Sequence, residues 1–155
     1  MSDNDGWLER FDREHRELTL PGLYWVSAIF VVVGTVGALW LLPVPQEFYE
    51  ISPLFNWGSA FLMTAAVYYF IISLSLAIGL LPFVVGLAAF QFWLSTSGYS
   101  AEYVSAALLL SGILGIWLGH RPGARVSAVA HDLQYMIIAP AWMLSLVYRR
   151  IGIPV

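Results

Sequence analysis

Long apolar runs separated by short polar patches dominate this sequence. The longest run lies between Glu50 and Glu102, where fifty-one residues include no Asp, Glu, Lys, Arg or His. A second apolar run extends from Leu23 to Leu42, and Pro43 ends it. A soluble surface cannot be built from so few ionisable groups, so the pattern predicts that lipid surrounds most of this protein.

These runs have the lengths that membrane-spanning helices require. A helix rises about 1.5 Å per residue, so about 20 apolar residues cross a hydrocarbon core of roughly 30 Å. The run that follows Asn56 is long enough for two helices joined by a tight turn at Ser73–Ser75. The sequence therefore predicts an all-α, polytopic transmembrane helical bundle with four spans, at about 23–42, 57–73, 77–95 and 101–119.

The C-terminal segment, 132–150, is apolar but short, and Pro140 lies near its centre. Because proline disfavours the interior of a straight helix, we expect this segment to be re-entrant or to lie at the interface, with a fifth span as the alternative. All seven arginines fall into three patches: Arg10, Arg13 and Arg16; Arg121 and Arg125; Arg149 and Arg150. The positive-inside rule then places residues 1–20 as a polar cytoplasmic leader and predicts that both termini are cytoplasmic.

Composition agrees with a membrane protein. The chain is 59% hydrophobic and 11% charged, whereas a soluble domain carries about 25% charged residues. Its 155 residues predict one membrane domain, 1–155. The absence of cysteine excludes disulfides and thiolate metal sites, and the absence of an extended basic face argues against nucleic-acid binding.

The three histidines, His15, His120 and His131, all lie in or beside the arginine patches at one predicted membrane boundary. Imidazole is the commonest metal-binding side chain, and without cysteine it would be joined by oxygen ligands such as Asp132 or Glu14. This donor set predicts non-haem iron, with zinc chemically possible. Two alternatives stay open: histidines that only form hydrogen bonds at the interface, and an Asp132 that caps a helix.

The C-terminal third carries motifs of a known family. These are the Gly119-His120 pair, Asp132-Leu133-Gln134, Ala139-Pro140-Ala141-Trp142 and Tyr148-Arg149-Arg150-Ile151-Gly152-Ile153. With them the chain resembles the yeast-type 2-hydroxy fatty acid dioxygenase family of small membrane proteins, which has many bacterial members. Weaker similarity extends over most of residues 11–153. The resemblance implies an integral protein of a bacterial inner membrane.

Several positions depart from the family's pattern. Its N-terminal motif is of the type H-x-N-P-x-N-x-x-x-H-W; His15 matches the first histidine and Trp25 the tryptophan, but both asparagines are missing and Tyr24 stands at the second histidine. His131 stands where many members have glutamate. Either the metal site is rearranged, with His131 or Tyr24 as the replacement ligand, or this chain has lost the chemistry.

The resemblance implies an Fe(2+)-dependent reaction with O2 that shortens a 2-hydroxy fatty acid by one carbon, as in fatty acid alpha-oxidation. The expected metal ligands are His15, His120 and His131, and the expected catalytic residues are Tyr24 and Asp132. Arg121 or Arg125 would bind the substrate carboxylate, unless both arginines serve only to orient the chain in the membrane. The alternative is a non-catalytic protein on the same scaffold, without metal, that binds lipid or a partner protein.

Overall fold

The computed structural model of the chain describes residues 20–119, 130 and 138–151. This part of the chain folds into helices and contains no strand. The helices are α1 (Pro21–Trp40), α2 (Gln46–Ile51), α3 (Trp57–Ile72), α4 (Leu74–Thr96), α5 (Ala101–Gly119) and α6 (Ile138–Ile151). The predicted all-α class is therefore confirmed for the described residues.

Three of these helices are long and apolar enough to cross a membrane: Gly22–Trp40, Leu74–Thr96 and Ala101–Gly119. Helix α3 is apolar but has 16 residues, which correspond to about 24 Å of helix and fall short of a hydrocarbon core of roughly 30 Å. The apolar part of α6, Ala139–Tyr148, is shorter again. The described residues thus form an apolar helical protein of the membrane type.

Short polar residues set the limits of α3 and α4. The Asn56 side chain accepts a hydrogen bond from the Ser59 N–H, and the Ser59 hydroxyl is bonded in return to the Asn56 backbone, which forms a capping box. Ser73, in an extended conformation, ends α3 and also caps α4 by accepting from the Leu76 N–H. The turn that the sequence predicted over Ser73–Ser75 is therefore a single residue, and α4 already begins at Leu74.

Helices α1 and α5 pack antiparallel at very short range. Built as an alanine, Gly34 would place its Cβ 2.6 Å from the backbone nitrogen of Leu109, and Gly112 would place its Cβ 2.7 Å from that of Val31. Gly115 lies against the hydroxyl of Ser27. Since backbone meets backbone at Gly34 and Gly112, these two positions require glycine, and the glycine face of α5 is a helix-packing surface.

Helices α3 and α4 complete the bundle around α1. Gly58, at the start of α3, lies against Val36 and Trp40 near the end of α1, so α3 runs antiparallel to α1. Buried Gln91 of α4 donates a hydrogen bond of 2.9 Å from its Nε2 to the carbonyl of Val33. As a result, α1 and α4 begin at one end of the bundle, and α3 and α5 end there. We call it the Tyr24 end.

Helix α6 packs against this bundle from the Tyr24 end. Its fully buried Ala141 lies in one apolar cluster with Tyr69 of α3 and Leu80 of α4. Near its C-terminus the Tyr148 hydroxyl donates a hydrogen bond of 3.4 Å to the carbonyl of Ser75, in the first turn of α4. Pro140 is the third residue of α6, a position in the first turn where proline is tolerated.

Candidate functional site

Of the residues that the sequence predicted to form the site, the described part of the chain includes Tyr24. The others lie outside the described residues: His15, His120, Arg121, Arg125, His131 and Asp132. The structure therefore bears on the predicted site through Tyr24 and through the helix ends to which the other residues are attached.

Tyr24 occupies the first turn of α1 and is only 1% exposed. Its backbone N–H bonds to the carbonyl of Leu20 at 3.1 Å. The side chain belongs to an apolar cluster that also contains Ala28 of α1, Ile116 of α5 and Trp142 of α6. Three helices therefore enclose Tyr24, which the family resemblance gives as an expected catalytic residue or replacement ligand.

The end of α5 lies directly against the start of α1. A Cβ built on Gly119 would sit 3.7 Å from the Cβ of Tyr24 and 3.9 Å from the carbonyl oxygen of Leu20, which are ordinary van der Waals distances. Gly119 is the residue before His120. The fold thus brings Tyr24 next to Gly119, the residue that leads into His120.

Helix α6 covers the other side of Tyr24. Ala139 and Trp142 are both 5% exposed and share the cluster of Tyr24. The ring of Trp142 also meets Trp25 edge-on, with ring centroids 6.3 Å apart and planes at 77°. The Ala139–Trp142 motif that supports the family resemblance is therefore the part of α6 that packs beside Tyr24.

Ionisable side chains within the described ranges lie mostly away from this place. Glu47 and Glu50 belong to α2, which follows the far end of α1, and Glu102 lies in the first turn of α5. Arg150, at the end of α6, is exposed. The described surroundings of Tyr24 are apolar, so any charge at this site comes from the segments before Leu20 and after Gly119.

The described residues bear on a metal site through the chemistry of their donor atoms. Within residues 20–119, 130 and 138–151 there is no group of three His, Asp or Glu able to hold a metal, and the three histidines lie outside these ranges. Tyr24 supplies a phenolic oxygen, a donor that iron accepts in proteins. Among the described residues, Tyr24 is therefore the candidate site residue that could contribute a donor atom.

Two features of the fold escaped the sequence analysis. The first is Gln91, an amide buried among α1, α4 and α5, within reach of Gly37 and close to Ser105. Gln91 could have been identified from the sequence, because it is a large polar residue within the run that has no charges. The second is Trp142, which the sequence predicted as part of a motif but not as a neighbour of Tyr24. Nothing in its spacing predicts contact with a residue more than a hundred positions earlier.

Comparison with known proteins identifies no relative of this chain. No protein-family model, no curated protein and no solved structure matches this chain. The family resemblance stays a prediction, and the function has to be argued from the residues and from their arrangement.

Proposed function

We propose that this protein is a membrane-embedded, iron-dependent dioxygenase that removes one carbon from a 2-hydroxy fatty acid. The observation that supports it best is the contact between Tyr24 and Gly119. Tyr24 stands at a position of the N-terminal motif of the resembled family, and Gly119 belongs to its Gly-His pair. The proximity of these two motif positions supports a shared site.

In this proposal His15, His120 and His131 hold the iron, with Tyr24 as a possible replacement for the family's second histidine. Asp132 orients one of the histidines through its second ring nitrogen. Arg121 or Arg125 binds the substrate carboxylate with paired N–H donors. Bound Fe(2+) would supply coordination of the substrate oxygens and activation of O2. The apolar walls around Tyr24 would keep bulk water away from that chemistry.

We further propose four membrane spans, α1, α3, α4 and α5, with α6 re-entrant and both termini cytoplasmic in a bacterial inner membrane. The packing of α6 supports this arrangement. Tyr148 bonds to the first turn of α4, which lies at the same end of the bundle as Tyr24 and Gly119. Arg149 and Arg150 would then stay on the side of the other arginines.

Reporter fusions test the membrane arrangement. One reporter is placed after Val155, and a second replaces part of the loop at 46–56, each in the full chain. We expect the first to be active in the cytoplasm and the second outside it. A C-terminal reporter active only outside would mean five complete spans.

Iron content and turnover test the reaction. The full chain is purified in detergent, loaded anaerobically with Fe(2+), and given a 2-hydroxy fatty acid and O2; iron and the shortened acid are then measured. We expect one iron per chain and a product one carbon shorter, both lost in His120→Ala. Stable protein without iron and without product would refute the proposal.

The role of His131 is tested separately. Loss of a residue that only orients a ligand commonly lowers metal affinity about 10–100-fold, so loss of a direct ligand should exceed this range. We expect His131→Ala to abolish iron binding if His131 replaces the missing imidazole. Unchanged iron content would make His131 a helix-start residue and leave Tyr24 as the candidate ligand.

Tyr24 is tested by two substitutions of similar bulk. Tyr24→Phe keeps the packing with Ala28 and Trp142 but removes the phenolic oxygen, and Tyr24→His restores the family's imidazole. If Tyr24 ligates iron, Tyr24→Phe should lose the visible charge-transfer absorption that a phenolate gives with ferric iron. Iron binding that is equal in the wild type and Tyr24→Phe would assign Tyr24 to packing.

A second function has one observation in its favour. Tyr24 is enclosed by apolar side chains of three helices, as expected for a residue kept for packing after the metal site was lost. The protein would then be a non-catalytic membrane scaffold. Iron-free protein whose unfolding midpoint is unaffected by Fe(2+) and by His120→Ala would support this alternative.

A further inference from the structure

The short helix α2 has a polar side and an apolar side. Glu47 and Glu50 are three residues apart, so they share one face of the helix, and both are exposed. Phe48 and Ile51, also three residues apart, share another face, and Tyr49 lies beside Phe48 on the side away from the carboxylates. A helix of 6 residues thus separates two carboxylates from three large apolar side chains.

The protein covers only the middle of this apolar side. The ring of Phe48 packs against that of Phe55, with ring centroids 5.4 Å apart. On the two flanks of Phe48, Tyr49 and Ile51 remain 54% and 70% exposed, and Leu54 in the following turn is exposed as well. We call Tyr49, Ile51 and Leu54 the α2 surface.

The chain around α2 leaves the bundle and returns to it at the same end. Gly58, near the start of α3, lies against the ring of Trp40, the last residue of α1. Trp57, which begins α3, donates a hydrogen bond of 3.1 Å from its indole Nε1 to the carbonyl of Pro43. Residues 41–56 are therefore held close to the end of the bundle opposite to the Tyr24 end. We call it the Trp40 end.

Two observations place the membrane boundary at the Trp40 end. Helix α1 has 20 residues, which correspond to about 30 Å of helix and match the thickness of a hydrocarbon core, so its last residue lies at the boundary. In addition, Trp93 in the last turn of α4 and Tyr103 in the first turn of α5 are both exposed. Exposed Trp and Tyr at the ends of spans are typical of the interface. Because α2 is tied to this end, it lies at the level of the lipid head groups.

The length of α3 gives a separate reason for apolar surface at this level. Its 16 residues cover about 24 Å of a core of roughly 30 Å and leave a deficit of about 6 Å. A span that is too short needs flanking residues that reach the interface, or a thinner bilayer. Leu54 and Phe55 immediately precede α3, so the α2 surface supplies apolar side chains where α3 begins.

We propose that α2 is an interfacial helix whose partner is the lipid surface. Tyr49, Ile51 and Leu54 lie in the boundary between head groups and acyl chains, and Glu47 and Glu50 face water. Helices of this kind bury their apolar face about 5–10 Å into that boundary. The inference rests on the proposed crossing of the membrane by α1 and α3, and it requires neither the proposed reaction nor the proposed sidedness.

Spin labels measure the depth of α2 directly. The chain has no cysteine, so Tyr49→Cys, Ile51→Cys and Glu47→Cys each provide a single labelling site in the full chain. All three positions are exposed, so the label disturbs no packing, and Val67→Cys on the exposed side of α3 serves as the lipid reference. In phosphatidylcholine vesicles, collisions of the label with O2, which concentrates in lipid, are compared with collisions with a water-soluble nickel chelate. We expect O2 to dominate at positions 49, 51 and 67, and nickel to dominate at position 47.

Each other result has a definite meaning. Nickel accessibility at positions 49 and 51 equal to that at 47 would place α2 in water and overturn the inference. Protection of both positions from both reagents would mean that protein covers the α2 surface, which also overturns it. If the two positions disagree, Ile51, which is the more exposed, decides. A water-like label at position 67 would sink the proposed span α3 as well, whereas a lipid-like label there confines the failure to α2.

A charge introduced on either side of α2 supplies the second arm. Ile51→Asp adds a carboxylate on the lipid side, and Gln46→Asp adds the same charge at an exposed position on the polar side. Both are combined with the label at Tyr49→Cys. Because a charge is costly to bury in lipid, we expect Ile51→Asp to shift the collisions of the label from O2 toward nickel, and Gln46→Asp to leave them unchanged. Equal depths in the two variants would refute the assignment of the two sides.

Discussion

Replacing Gly34 with alanine should separate helices α1 and α5 and destabilise the protein. The new Cβ would lie 2.6 Å from the backbone nitrogen and 2.8 Å from the Cα of Leu109. Ordinary contacts between such atoms are about 3.5–4.0 Å. Because both close atoms belong to a helix backbone, no side-chain rotation can relieve the overlap, and the helices must move apart locally by roughly 1 Å.

The chain offers a matched control in Gly86, which also lies inside a long helix. A Cβ built there meets nothing within 4 Å. Glycine-to-alanine substitution favours a helix by about 1 kcal/mol at either position, so this contribution cancels when the two variants are compared. What remains is the cost of overpacking, about 1–3 kcal/mol, and we expect Gly34→Ala to be less stable than Gly86→Ala by that amount.

Unfolding in mixed micelles measures this difference. Both full-length variants are titrated with dodecyl sulfate while helix content is followed by circular dichroism, and the free energies of unfolding are compared. Substitutions away from critical contacts usually change stability by less than about 0.5 kcal/mol. If the two variants differ by less than that, the close approach of α1 to α5 is not a determinant of stability, and the reasoning fails.

Three further substitutions test individual hydrogen bonds, the first two in the same unfolding assay and the third by proteolysis. Gln91→Leu removes the hydrogen bond to the Val33 carbonyl and should lower the free energy of unfolding by about 0.6 kcal/mol, the average for hydrogen bonds between membrane helices. A loss above about 2 kcal/mol would indicate a wider polar network. Asn56→Ala removes the cap of α3 and should cost about 0.5–2 kcal/mol, whereas no loss would mean that the cap is not required. Tyr148→Phe removes the bond to Ser75 and should increase proteolysis of α6, with unchanged cleavage counting against that anchor.

The helices could be predicted from the sequence because their causes are local. The run without charges after Glu50 predicts two helices, and the predicted span 101–119 has the limits of α5. The structure moves the start of α4 to Leu74, three residues before the predicted 77. The reason is that Ser73 both ends α3 and caps α4. A pattern of hydrophobicity does not predict such a shared residue.

The neighbours of Tyr24 could not be predicted in this way. Its contacts with Gly119 and Trp142 join residues about a hundred positions apart, and they depend on how α1, α5 and α6 cross. Gly115 and Gly119 are small residues suited to close packing, but nothing in the sequence identifies α1 as the helix that they contact. The motif resemblance suggested that Tyr24 and His120 belong together, and the described contact with Gly119 is compatible with this.

The glycine contacts between α1 and α5 also have a consequence for the order of events during synthesis. Leu109 follows Gly34 by 75 residues, which at about 5–20 residues per second corresponds to roughly 4–15 s of translation. During that interval the glycine face of α1 has no partner from its own chain, although α3 and α4 have already been made. A ribosome stalled before α5 would therefore leave the glycine face of α1 uncovered, even with the contacts of α1 to α3 and α4 already formed.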